Sequence, residues 1–282
     1  MSASPTLTLF VYCIAIACFS LVGGLLPNWV KMTHTRTQMV MSLVSGLMLG
    51  VAFYHLLPHS MVMRGGQSGI DAAVWWLMAG LITMFLLLRM FHFHQHDFSS
   101  DEDAHHDHSH AHLHDAGVHR LSWLGIAFGL ALHTLIDGVA LGAVMLGESH
   151  GHSGVSMAGF GVFLAILLHK PLDALSITSI MEAGGWNRTA RATTNLVFAL
   201  MCPLGALLFY FGVDAFAVTR ESIVAGALAF SAGAFICIAL SDLLPEVHFH
   251  SHDRGKLTLA FLLGIVVAYG IGLVEPAGMH SG

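Results

Sequence analysis

Two short stretches of the chain set an imidazole and a carboxylate four residues apart: His133 and Asp137 in HTLIDGVALG (133–142), and His169 and Asp173 in HKPLDALSI (169–177). On a helix, residues four apart share a face, so each pair aims at one point. The surrounding residues are apolar, and an ionisable group deep in lipid costs ~2.5–3.5 kcal/mol or more unless it is paired or hydrated. Two imidazoles and two carboxylates together make a first shell suited to Zn²⁺ or Fe²⁺, and a cation would offset the burial penalty. A hydrogen-bonded helix network or a metal-free proton relay would use the same residues. Lys170 lies inside the second pair. Its ammonium should repel a cation there, unless it occupies a neighbouring cation position, salt-bridged to Asp173 or Asp137, or sits as a neutral amine. Pro171 removes a helical hydrogen bond to Leu167 and disfavours a straight helix. A kink there would open a polar cavity and leave a carbonyl free.

The elements that must carry these pairs are membrane helices. Of the 282 residues 55% are hydrophobic and 10% charged, against roughly 25% charged in an ordinary soluble domain, and mean hydropathy is +0.73. Eight apolar stretches reach the ~20 residues a spanning helix needs: 7–27, 38–60, 70–88, 121–146, 155–181, 192–213, 222–244 and 257–275. The expected fold is an all-α polytopic membrane protein, a single transmembrane domain over 1–282, its helices packed through small residues such as Gly46, Gly50, Gly226 and Gly233. The first run has no Lys or Arg before Lys31 and is long for a signal sequence, so it is read as a span. His133 falls roughly 18 Å into span four and His169 roughly 21 Å into span five at 1.5 Å per residue. In antiparallel spans both pairs then lie near mid-membrane and can face each other.

Charge sets the orientation. Loops 1–2, 3–4, 5–6 and 7–8 carry Lys31, Arg36, Arg89, Arg120, Arg188, Arg191, Arg254 and Lys256, whereas the opposite loops carry Arg64 and Arg220 and the termini none. The positive-inside bias places these odd loops in the cytoplasm and both termini outside. A bacterial inner membrane or a plasma membrane is the expected location. The net charge of −6 argues against nucleic acid as a partner, and Cys13, Cys18, Cys202 and Cys237, all in apolar runs, suggest packing residues rather than a disulfide framework.

Residues 91–119, FHFHQHDFSSDEDAHHDHSHAHLHDAGVH, hold ten of the 21 histidines. Such a segment cannot bury a core and is expected to be a cytoplasmic loop. Its imidazoles, among them His105, His106, His108, His110, His112 and His114, suit weak multi-site metal binding, a buffer or sensor rather than the conduction site. HFHSH at 248–252 lies on the same side.

Eight spans, outside termini, a His-rich loop after span three and His-x-x-x-acid on spans four and five resemble the ZIP (Zrt/Irt-like) metal transporter family, with GLMLGVAFYHLLP (46–58) similar to its span two and IALSDLLPE (238–246) to its span seven. The resemblance implies a transport site built from His133, Asp137, His169 and Asp173 with a thioether from Met48. It also implies movement of a divalent metal into the cytoplasm by one helix bundle sliding against the other. Zinc is the leading cargo, with Fe²⁺, Mn²⁺ or Cd²⁺ as alternatives. Some family members hold a second metal through Asn after the first His and an acid after the second. Thr134 and Lys170 stand there in this chain, so one metal is expected, with the lysine in place of the other. By topology His55 and His59 would flank the outer mouth, and Asp242 and Glu246 the inner one.

Two other readings remain open. A cation diffusion facilitator-like exporter would be expected to have six spans and a soluble C-terminal domain, against eight spans and AGMHSG after Pro276. An intramembrane zinc hydrolase could use the same ligands to activate water, but no HExxH occurs and no spare general base is evident, so a non-enzyme is expected. Whether the chain forms a homodimer is left open.

Overall fold

A computed structural model describes residues 4–25, 34–95, 116–148, 159–249 and 254–274, with the side chains of 34, 90–95, 116–126, 148, 217–218, 242–249 and 274 excepted. The described residues are almost wholly helical, without strands: α1 (Pro5–Leu25), α2 (His34–Val51), α3 (Leu57–Arg64), α4 (Gly66–Gln95), α5 (Ala116–Glu148), α6 (Phe160–Ala183), α7 (Arg188–Gly212), α8 (Arg220–Phe249) and α9 (Arg254–Val274). A π-helical turn, Ala52–Leu56, joins α2 to α3, so these two form one span and eight helices are long and apolar enough to cross a membrane. In lipid only internal hydrogen bonding satisfies the backbone, which makes helices the natural solution for such runs.

Several boundaries differ from the sequence reading for identifiable reasons. Span two runs on to Arg64, and Gly65 and Gly66, with φ of 61° and 65°, reverse the chain directly into α4; two left-handed residues in succession are readily supplied by glycine. Span five begins at Phe160 behind Gly159, whose φ is 66°. Residues 155–158, read as its first turn, lie outside the described residues. Helix also extends into both ends of the His-rich segment, to Gln95 and from Ala116. The π turn precedes Pro58, which has no N–H to offer the carbonyl of Tyr54; a widened turn is one way to accommodate that loss.

The helices form two groups. In one, α2 lies along α9 and α4 along α8; in the other, α5 lies along α7 and α1 packs on α6 and α7. Each pairing is close because glycine removes the side chain that would block it. Added side chains at Gly46 and Gly264 would strike the Phe261 and Leu43 carbonyls, those at Gly80 and Gly233 the Phe230 and Leu77 carbonyls, and those at Gly138 and Gly205 the Cys202 and Leu135 carbonyls. Gly23 of α1 meets the backbone of Pro171 in the same way, so α1 lies directly on the proline of α6. Gly50 faces Ala268 and Gly226 the Trp76 ring, as the small-residue reading expects. Interhelical hydrogen bonds reinforce the groups: Ser42 Oγ donates to the Leu257 carbonyl and Ser60 Oγ to that of Ala225, both at 2.8 Å, and Asn195 Nδ2 donates to the Leu21 carbonyl at 3.1 Å.

Between the groups, α5 packs on α4 and α8, and α2 on α6. The glycines described at this boundary meet side chains rather than backbone: Gly147 of α5 faces His59, and Gly161 of α6 faces His55. The four cysteines are free thiols.

Candidate metal centre

Helix α5 presents His133, Thr134 and Asp137, and α6 presents His169, Lys170 and Asp173. With a pitch of 3.6 residues, the four-residue spacing brings each His over its Asp, and the packing of α5 on α6 brings the pairs together. His133 Nε2 lies 3.5 Å from Asp137 Oδ2 and 3.4 Å from Asp173 Oδ2. His169 Nε2 lies 3.2 Å and 3.7 Å from the same two oxygens. One ligand atom from each of the four residues falls within 4.8 Å of all the others. Zinc bound at ~2.0–2.1 Å in a tetrahedron separates neighbouring ligand atoms by about 3.4 Å. The four nitrogen–oxygen distances already bracket that length.

The cage is largely buried and oriented. His133 is 2% exposed, His169 4% and Asp137 0%, while the Asp173 side chain keeps 19% exposure and is the open edge. His169 Nδ1 lies 2.8 Å from the Ala165 carbonyl one turn earlier. A carbonyl only accepts, so Nδ1 carries the proton and Nε2 offers a lone pair to the cage. That lone pair then faces a carboxylate oxygen, acceptor against acceptor, an arrangement resolved by a cation or an added proton between them. Among the described residues, His133 Nδ1 and Asp137 Oδ1 are buried without a hydrogen-bond partner.

Lys170 contacts both carboxylates, where its sequence position left a choice between them. Its Nζ lies 2.5 Å from Asp137 Oδ2 and 2.9 Å from Asp173 Oδ2, and donates to Thr134 Oγ1 at 3.1 Å. The residue is 1% exposed, and its ammonium lies 5.7 Å from the centre of the Phe198 ring. From the other helix group, Phe235 of α8 sets its ring edge-on to His169, with centroids 6.5 Å apart.

The other predicted residues belong to other helices or fall outside the described residues. Met48 is fully buried in the central core on α2, which packs against α6. His55 sits in the π turn, 5% exposed, its Nε2 donating to the Ala268 carbonyl at 2.9 Å. His59 is half-buried on α3 against Gly147. The side chains of Asp242 and Glu246 lie outside the described residues, as do His105, His106, His108, His110, His112 and His114. The role of Thr134 as a Lys170 acceptor, the Phe198 and Phe235 walls, and the glycine seats of His55 and His59 were not read from sequence. Thr134 alone carried a signal, being the one hydroxyl beside His133.

A family model described as ZIP Zinc transporter matches residues 92–274, more than half of the chain. Zinc transporter ZIP9-B of Xenopus laevis is 37% identical over 134 residues, 45% of this chain and 42% of the relative. Zinc transporter ZIP9 of Micropogonias undulatus is 33% identical over 163 residues, 54% of this chain and 51% of the relative. Zinc transporter zipt-7.2 of Caenorhabditis elegans is 27% identical over 145 residues, 51% of this chain and 30% of the relative. The chain thus spans about half the length, or less, of these curated relatives. All three are animal proteins and lend no support to a bacterial membrane. The order of the motifs, the eight apolar helices and the matched region agree: the chain belongs to the ZIP zinc transporter family.

Proposed function

We propose that this chain moves zinc across a membrane toward the cytoplasm, holding one ion at a time between His133, Asp137, His169 and Asp173, with Met48 as a soft ligand from α2. The observation that carries this reading is the cage itself: two imidazole nitrogens and two carboxylate oxygens converge within 4.8 Å of one another in a buried site, with nitrogen–oxygen separations of 3.2–3.7 Å. A site on two packed helices with one partly open edge suits an exchangeable ion. Iron, manganese and cadmium are secondary candidates on ligand chemistry.

Access follows the charge bias, which puts the termini outside and the His-rich segment inside. His55 and His59 line the outer approach, Asp242 and Glu246 the inner one, and the segment 91–119 buffers arriving metal. Alternating access comes from sliding of the α1/α5/α6/α7 group against the other. Supporting this are the glycine-to-backbone contacts within each group and the side-chain-mediated seats of His55 and His59 between them. The chain acts as a transporter rather than an enzyme, a reading supported by the match to the zinc transporter family.

Zinc uptake into proteoliposomes tests this. Uptake should survive deletion of 95–115 and be lost in Asp137→Ala and in His169→Ala. Wild-type flux in both substitutions would refute the central site. Hydrolysis of a lipid or peptide without flux would favour the hydrolase instead.

A further inference from the structure

We propose that Cys13 of α1 and Cys202 of α7 form a two-thiol site for a soft monovalent cation, Cu⁺, separate from the zinc cage and independent of that reading.

The register of α1 against α7 sets the two thiols opposite each other. Asn195 Nδ2 donates to the Leu21 carbonyl at 3.1 Å, and Thr6 Oγ1 lies 3.3 Å from Tyr210 Oη. These two rungs fix the helices as antiparallel. Cys13 lies seven residues after Thr6, and Cys202 eight before Tyr210. At about 1.5 Å per residue, the two fall within about one residue of the same height.

The rotation of each helix is fixed as well. Gly23 meets the backbone of Pro171 on α6, while Gly24 meets the Asn195 side chain on α7. Eleven residues earlier, close to three helical turns, Tyr12 stacks on Phe163 of α6 with ring centroids 4.0 Å apart. Cys13 follows Tyr12 as Gly24 follows Gly23, and so shares the α7-facing side. Cys202 follows Asn195 by seven residues, close to two turns, and shares its α1-facing side. Both are free thiols in one apolar core cluster, at 4% and 1% exposure. The Cys13 thiol lies within electrostatic reach of that of Cys202.

Two thiols are too few donors for a structural zinc site, which takes four, and neither belongs to the four residues of the cage. Thiolate sulfur selects Cu⁺, which two sulfurs hold in linear coordination. No oxidation or reduction is involved. One S–H releases its proton to solvent, and the resulting thiolate and the remaining thiol bind Cu⁺. The filled site is then neutral, as an apolar surrounding favours. Cys18 is exposed, and Cys237 lies on α8 in the other helix group, so these two serve as controls.

The test uses purified full-length protein in detergent, kept anaerobic with ascorbate. Cu⁺ affinity is read by competition with a chromophoric Cu⁺ chelator, and the ligands by X-ray absorption at the copper edge. Wild type should hold one tight Cu⁺ per chain on two sulfurs, and Cu⁺ should raise its melting temperature. Cys13→Ala and Cys202→Ala should each weaken binding by about tenfold or more and abolish the melting shift. Cys18→Ala, Cys237→Ala, His133→Ala and His169→Ala should bind within about threefold of wild type. The wild-type spectrum stands even if a cysteine variant fails to fold: copper there without two sulfurs overturns the site. Wild-type affinity in folded Cys13→Ala and Cys202→Ala also overturns it. So does loss of tight copper in Met48→Ala or the histidine variants, which would place the ion in the cage.

Discussion

Replacing Asp137 by Asn keeps the shape of the side chain and removes its charge, which makes it a sharp probe of the cage. Asp137 Oδ2 lies 3.5 Å from His133 Nε2, 3.2 Å from His169 Nε2 and 2.5 Å from Lys170 Nζ, and the residue is fully buried. Four-ligand zinc sites bind with about 10–16 kcal/mol in small folded peptides, or roughly 2.5–4 kcal/mol per ligand. At about 1.4 kcal/mol per decade, loss of one anionic ligand should weaken zinc binding by about 10²–10³-fold. The same substitution leaves Lys170 with one carboxylate. Breaking a buried ion pair costs about 3–5 kcal/mol, but Asp173 remains 2.9 Å away, so the loss of stability should fall at or below the lower end. Zinc affinity is read by competition with a chromophoric chelator, and stability by thermal melting in the same detergent. A folded Asp137→Asn protein with zinc affinity within about threefold of wild type would refute the reasoning.

Three further outcomes follow from the same structure. Deleting 95–115 should preserve proteoliposome uptake while removing weak, multi-site metal binding measured by equilibrium dialysis. His55→Ala removes a side chain that bridges the π turn to Ala268; it should lower the uptake rate while leaving central-site zinc affinity within about threefold of wild type by chelator competition. Gly264→Leu would drive a side chain into the Leu43 carbonyl on α2 and should lower the melting temperature, since overpacking typically costs about 1–3 kcal/mol.

Much of this was legible in the chain because lipid makes polar residues conspicuous. His133, Asp137, His169 and Asp173 stood out against apolar runs, and helical spacing alone implied that each pair shared a face. What the sequence left open depended on contacts between distant segments. Lys170 had two candidate carboxylates, and the packing of α5 on α6 joins it to both. Gly46 and Gly264 are far apart in sequence, and nothing local reveals that α2 lies along α9. The π turn at Ala52–Leu56 is a one-residue change in winding that leaves the hydrophobic pattern of span two intact. The start of span five hinged on the backbone angle of Gly159, which periodicity does not record.

The central claim is that zinc is held by imidazoles of α5 and α6 together. X-ray absorption at the zinc edge, on protein loaded with one equivalent, tests it most directly. Two imidazole nitrogens and carboxylate oxygen should appear at ~2.0–2.1 Å, with one imidazole lost in His133→Ala and one in His169→Ala. Zinc without imidazole scattering, or imidazole scattering unchanged in both variants, would contradict the account.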